Sequence, residues 1–187
     1  MNLLLLIILA GTCVVLLLLE RSGLPLTLHL KFKGDVKRET LFLQQWGQSV
    51  ATPLVAMAMW QLDPPRRKAA IALIVGVCLA SGTCFLLKRL LGRVRPNRPN
   101  AGRFLGPSWK HDNQRESFPS SHSACAIAAS AFLASLYPPI ALLMWGLGII
   151  TAMLRYVLDA HWPSDVLAGV AIGYSCAYAA MLLFQIA

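Results

Sequence analysis

The stretch "ESFPSSHSACAIAAS", residues 116–130, sets a proline, three serines and a histidine directly against an apolar, alanine-rich run. The run continues through 136, and 119–136 reads as a membrane-crossing helix. Its polar start is unusual for such a helix. Pro119 suits a first helical position, where no N–H is needed. The N–H groups of Ser120, Ser121 and His122 would then be unpaired and aimed at the aqueous face, where they favour an anion. Ser120 adds a hydroxyl donor, and His122 can hold and release a proton near neutral pH. Taken alone, these residues also read as an ordinary helix start with a bystander histidine.

The rest of the chain decides the environment. Hydrophobic residues make up 57% of the 187 residues and charged residues 13%, with a mean hydropathy of +0.60. An ordinary soluble domain carries about 25% charged residues, so the soluble class is excluded. Apolar segments at 3–19, 46–62, 69–87, 119–136, 140–156 and 163–186 give six expected crossings. The 46–62 segment is the weakest, because Gln48, Thr52 and Pro53 interrupt it. The 20–44 connection mixes Arg21, Lys31, Lys33, Lys37 and Arg38 with leucines and suggests a short interfacial helix. The opening "MNLLLLIILAGTCVVLLLL" lacks a basic leader and is read as a retained helix. Cys13, Cys78, Cys84, Cys125 and Cys176 all fall in apolar segments and read as small buried hydrophobes. The expected fold is an all-α integral membrane protein: one domain over 1–187, a six-helix transmembrane bundle with its active site at one membrane face.

Six crossings place 20–45, 88–118 and 157–162 on one side, and "DPPRRK" (63–68), "YPP" (137–139) and both termini on the other. The net charge is +9, from 17 Lys/Arg and 8 Asp/Glu. Lys88, Arg89, Arg93, Arg95, Arg98, Arg103, Lys110 and Arg115 fall within 28 residues, opposed there by Asp112 alone. Between apolar segments, such a run points to phosphate-bearing lipid and away from nucleic acid. Lys88 and Arg95 in "KRLLGRVRP" (88–96) would lie on one stripe if the helix continued to Pro96, a pair suited to phosphate. Snorkelling at a helix end is the plainer alternative.

"RYVLDAHWPSD", residues 155–165, supplies the third group. Arg155 ends one span, His161 precedes the next, and Pro163 places Asp165 in a first helical turn. A carboxylate four residues after a histidine can accept the imidazole N–H and fix which nitrogen stays free. The imidazole so held is a nucleophile or base; alternatively, Asp165 only complements the helix dipole. Two histidines and three cations meeting on one face suit phosphoryl transfer. Cations and N–H groups hold the oxygens, one imidazole attacks phosphorus, and the other protonates the departing alkoxide. No Cys/His or carboxylate cluster has metal-ligand spacing, so no cofactor or metal is expected.

At these residues the chain resembles the type 2 phosphatidic acid phosphatase family of membrane lipid phosphate phosphatases, relatives of vanadium haloperoxidases. Lys88, Arg95 and Pro96 match the first family pattern, Pro119, Ser120 and His122 the second, and Arg155, His161 and Asp165 the third. The resemblance implies a six-helix core and His161 as nucleophile forming a phosphohistidine, held by Asp165. It implies His122 as leaving-group acid, with Lys88, Arg95, Ser120, Arg155 and the N–H groups of 120–122, Ser121 included, binding phosphate. Two positions depart from it. Ser121 stands for the usual glycine and adds a side chain beside the phosphate, and Leu154 stands for a serine next to Arg155.

The expectation is a metal-independent lipid phosphatase acting on a monoester or pyrophosphate, with a lipid phosphate and the bilayer as partners and no obligate protein partner evident. Candidate substrates are phosphatidic acid, phosphatidylglycerol phosphate, polyprenyl (pyro)phosphates and a lipid A-like glycolipid phosphate. The alternatives are a phosphotransferase using the same phosphohistidine and a non-catalytic anionic-lipid binding or transport protein. Lys/Arg bias alone, with only Arg66, Arg67 and Lys68 opposite the active face, would place that face in the cytoplasm. Bacterial family members face the periplasm, and the resemblance implies that side of an inner membrane.

Overall fold

The computed structural model describes residues 2–186 except 25, 29, 31 and 49, so Lys31 of the basic connection lies outside the described residues. Among the described residues seven α-helices run in order: α1 (Leu3–Arg21), α2 (Gly34–Leu43), α3 (Ala51–Leu62), α4 (Arg67–Leu91), α5 (Ser121–Leu136), α6 (Ala141–Val157) and α7 (Pro163–Leu183). Among the described residues there is no strand, only an isolated antiparallel bridge between Arg93 and Phe104.

Among the described residues four segments are long and apolar enough to cross a bilayer: Leu3–Arg21, Pro64–Leu91, Pro138–Val157 and Pro163–Leu183. The fold is therefore helical with membrane-spanning segments, while two of the six expected crossings fall on shorter helices. α5 has 16 residues and α3 only 12. The 46–62 segment is not one helix, because a 3-10 turn occupies Gln44–Gly47 and α3 begins only at Ala51. The interfacial piece expected in 20–44 is α2, which buries none of its residues.

α5 is the central rod. Ser123 through Ala134 are all buried, because α4, α6 and α7 surround the helix. Small residues allow that closeness. A Cβ added at Gly169 of α7 would lie 2.5 Å from the Ser120 carbonyl oxygen, and one at Gly173 would lie 2.2 Å from that of Ala124. Helices in lipid associate through such close backbone approach, since leucine gains nothing by leaving lipid tails. Large apolar side chains accordingly stay outside, with Leu142 88% and Leu62 83% exposed. α1 is the extreme case, burying only Cys13. All five cysteines are free, but Cys78 is exposed on the outer face of α4 and Cys176 is only half-buried.

The turns 63–68 and 137–140 meet at one end. Tyr137 Oη donates to Asp63 Oδ2 at 2.8 Å, and Arg66 pairs with the same oxygen at 2.8 Å. Arg66 lies 5.2 Å from the Tyr137 ring centroid. Two local expectations are corrected at the opposite end. α4 does not run to Pro96: it stops at Leu91, where Gly92 takes φ +60° and closes the helix with its N–H on the Lys88 carbonyl at 3.0 Å. A left-handed C-terminal residue of this kind favours glycine. Pro119 is not the first helical residue either; it precedes the N-cap, Ser120, whose Oγ accepts from Ser123 N–H. Between these points the 92–118 connection folds back on itself, with Val94 N–H on the Arg103 carbonyl (2.9 Å) and Ser117 N–H on that of Arg93 (3.0 Å).

Candidate active site

His161 sits in the short link between α6 and α7. Asp159 adopts φ +55° there, and the N–H groups of Ala160 and His161 both donate to the Arg155 carbonyl, at 3.2 and 3.1 Å. That tight return draws the imidazole beneath the end of α6, where it is 1% exposed. Nδ1 lies 2.8 Å from the Ser117 carbonyl oxygen and 3.6 Å from Asp165 Oδ2. A carbonyl only accepts, so Nδ1 carries the proton and Nε2 keeps the lone pair. Asp165, expected from the sequence to hold the imidazole, lies beside it, and the Ser117 carbonyl oxygen is the nearer acceptor.

Asp165 is engaged elsewhere. Its Oδ2 accepts from Ser117 Oγ at 2.5 Å and from the Trp162 N–H at 2.9 Å, and its Oδ1 accepts from Arg93 at 2.6 Å. It thus fixes the start of α7 and stands as a fully buried negative charge beside the imidazole. Burial lowers the proton affinity of His161, to a pKa of about 4; Asp165 opposes that change, and the charges of Arg155 and Arg95 add to it.

The expected phosphate ligands come from four elements. Lys88 lies in the last turn of α4, Arg95 in the 92–118 connection, Ser120 and Ser121 at the start of α5, and Arg155 in the last turn of α6. The charges of Arg155, His161, Lys88 and Arg95 all act on His122, and that of Arg95 acts on Lys88 and on Arg155. Lys88 and Arg95 converge although no common helix carries them, because the chain reverses after Gly92. Arg95 Nη1 reaches the Ala160 carbonyl at 3.4 Å, and Arg155 donates to Gln44 Oε1. The Nε atoms of both arginines are buried without a partner. Such unmet donors inside a cluster of cations suit an oxyanion.

The N–H donors expected at α5 are reduced by one. Ser120 N–H donates to the Asp165 carbonyl at 3.0 Å, which leaves Ser121 and His122 at the open helix start. The Ser120 hydroxyl oxygen accepts from Ser123 Oγ at 2.9 Å, and the residue is wholly buried. Ser121 lies beside Cys84 of α4. Below Ser121 and His122, a cavity of about 310 Å³ extends between α3, α4 and α5, lined also by Thr52, Val77 and Cys125. Among the described residues no group of three His, Cys, Asp or Glu side chains is placed to hold a metal ion.

Sequence reasoning missed Ser117, Arg93, Ser164 and Glu20. The Ser117 contribution is a backbone carbonyl, which no residue type betrays. Arg93 was hidden in a run of eight cations. Glu20 did leave a signal: it is a lone acid closing an otherwise leucine-rich span, and ionisable groups in such places need a partner.

Fold and site together define a membrane-embedded helical protein with a buried histidine and an anion-attracting cluster at one end. The model of the PAP2 superfamily matches residues 69–187, and the chain belongs to that family. It is 39% identical over 89 residues to a lipid A 1-phosphatase of Rhizobium johnstonii, covering 47% of this chain and 36% of the relative. It is 35% identical over 110 residues to a decaprenylphosphoryl-5-phosphoribose phosphatase of Mycolicibacterium smegmatis, covering 57% and 56%. The chain thus spans between about a third and just over half of these curated relatives. A transmembrane PAP2-type phosphatidylglycerolphosphate phosphatase from Bacillus subtilis has a similar fold, with TM-score 0.60 at 17% identity over 97% of this chain and 93% of that one.

Proposed function

We propose that the protein is a membrane lipid phosphatase that hydrolyses a phosphate monoester or pyrophosphate on a lipid through a phosphohistidine at His161. The observation that carries this reading is the His161 imidazole, held by the Ser117 carbonyl with Nε2 free, beside cations whose guanidinium Nε atoms lack partners. In the first step the Nε2 lone pair forms the N–P bond while the P–O bond to the lipid breaks. The departing alkoxide takes its proton from His122. Lys88, Arg95, Arg155 and the N–H groups of Ser121 and His122 hold the equatorial oxygens as charge develops. In the second step His122 takes a proton from water, which attacks phosphorus and releases inorganic phosphate from His161. Asp165 stabilises the imidazolium formed between the steps.

These three cations and the helix N-terminus supply the positive field, so the reaction proceeds without a metal ion. The lipid enters sideways from the bilayer, its chain in the cavity below His122. The bundle crosses a bacterial inner membrane six times as one domain, with the site on the periplasmic side. Support for a lipid phosphate as substrate comes from the names of the relatives, a lipid A and a decaprenyl-linked phosphatase.

The test uses purified protein with a panel of lipid phosphates, in EDTA and without an acceptor lipid. Wild type is expected to release free phosphate and His161→Ala to release none while still inserting. Undiminished release by His161→Ala removes the nucleophile, and release that requires an added acceptor lipid replaces hydrolysis with transfer.

A further inference from the structure

α1 lies before the family-matched region, faces outward along most of its length and buries only Cys13 among the residues of its helix. Yet its penultimate residue, Glu20, has a side chain 1% exposed, paired at 2.7 Å with Arg93, itself 2% exposed. Glu20 also accepts from Ser164 N–H at 3.1 Å and from Ser164 Oγ at 2.5 Å. Arg93 presents its other terminal nitrogen to Asp165 Oδ1 at 2.6 Å and to Ser164 Oγ at 2.7 Å. The guanidinium is fixed in orientation, 5.3 Å from the Phe104 ring and 5.1 Å from the Trp162 ring. One buried chain of charge therefore runs from α1 through Arg93 to the carboxylate beside His161.

A helix that served only as an anchor would need no carboxylate here. Burying two charges is costly, and here the carboxylate is met by Arg93 and Ser164 and both terminal nitrogens of Arg93 are met by acids, while its Nε has no partner. We propose that Glu20 is a positioning residue for the reaction. Acting through Arg93 and Ser164, it fixes the orientation of Asp165 and balances the cation, so that Asp165 keeps its full charge for His161. This rests on the reading of His161 as nucleophile. Without the Glu20 charge, Arg93 is answered by Asp165 alone. The field favouring positive charge on the imidazole weakens, and phosphohistidine formation slows.

The other charges facing His161 are Asp165 from α7, Arg95 from the 92–118 connection and Arg155 from α6, with His122 of α5 and Lys88 of α4 across the site. None of them changes in Glu20→Gln. The sign is fixed: removing a negative charge lowers the proton affinity of His161, so the ascending limb of kcat/KM moves to lower pH.

The experiment compares wild type, Glu20→Gln, Glu20→Asp and His161→Ala as purified full chains, with one polyprenyl monophosphate as substrate between pH 3.5 and 9. Rates are taken per folded molecule. Glu20→Gln is expected to lose kcat with KM nearly unchanged and with its acid limb displaced downward. Glu20→Asp, which keeps the charge on a shorter stem, is expected to recover the limb and part of the rate. If Glu20→Gln does not accumulate, Glu20→Asp alone is decisive through a lowered kcat at constant KM. A wild-type limb and kcat in the variants, with or without a lower thermal midpoint, overturn the proposal if His161→Ala is inactive. An active His161→Ala instead overturns the function reading.

Discussion

The tautomer of His161 is set by a backbone carbonyl, and the carboxylate four residues on acts through its charge and its grip on α7. The proposed mechanism gives the two imidazoles different tasks, and substrate choice can test the separation. His122→Ala is expected to lose about 10²–10⁴-fold on a lipid phosphate, whose alkoxide must be protonated, and far less on an aryl phosphate with a good leaving group. An equal loss on both would contradict the assignment. The low proton affinity of His161 also has a stability consequence. Its pKa falls from 6.5 to about 4 on folding, so between those values the unfolded chain binds a proton that the folded chain refuses. This contribution therefore destabilises the fold as pH drops from about 6.5 and levels off below about 4. The thermal midpoint of wild type should fall through that window more than that of His161→Ala, and parallel curves would contradict it. His122, His161, Asp165, Lys88, Arg95 and Arg155 were singled out as candidates by type and spacing. Ser117 was not, because it acts with an atom every residue has, and Glu20 is too distant in sequence for spacing to connect it with Asp165.

Among the elements, α7 was the most legible, since Pro163 does begin it and Asp165 does fall in its first turn. The end of α4 was misjudged because Pro96 is a visible stop, whereas Gly92 ends the helix four residues earlier by entering the left-handed region. That earlier stop is what lets the connection fold back and bring Arg95 to Lys88. α3 was overestimated because its apolar content continues past the point where Gln44–Gly47 tightens into a 3-10 turn. α5, which carries His122, packs on α7, which follows His161, and this joint depends on a missing side chain. Gly173→Ala places a methyl 2.2 Å from the Ala124 carbonyl, so α7 must retreat. A destabilisation of about 1–3 kcal/mol is expected from such overpacking, read as a lower thermal midpoint in detergent. A midpoint equal to that of wild type would show that the joint is looser than described.

Across the whole molecule, the turns carrying Asp63, Arg66 and Tyr137 meet at one end, as the parity of the apolar runs grouped them. The side of the membrane was beyond that reasoning, because cations that bind substrate and cations that set topology are the same residues. A cysteine at Ala101, an exposed residue of the 92–118 connection, is expected to react with a membrane-impermeant maleimide in intact cells. Labelling only after lysis would place the site in the cytoplasm. The central claim, that a lipid's phosphate passes through His161, is tested most directly by rapid quenching of purified protein with a ³²P-labelled lipid phosphate, followed by peptide mapping. The account predicts an acid-labile, alkali-stable label on His161, formed before free phosphate and lost in His161→Ala. Turnover with no label on His161 at any time, or with the label on another residue, would contradict it.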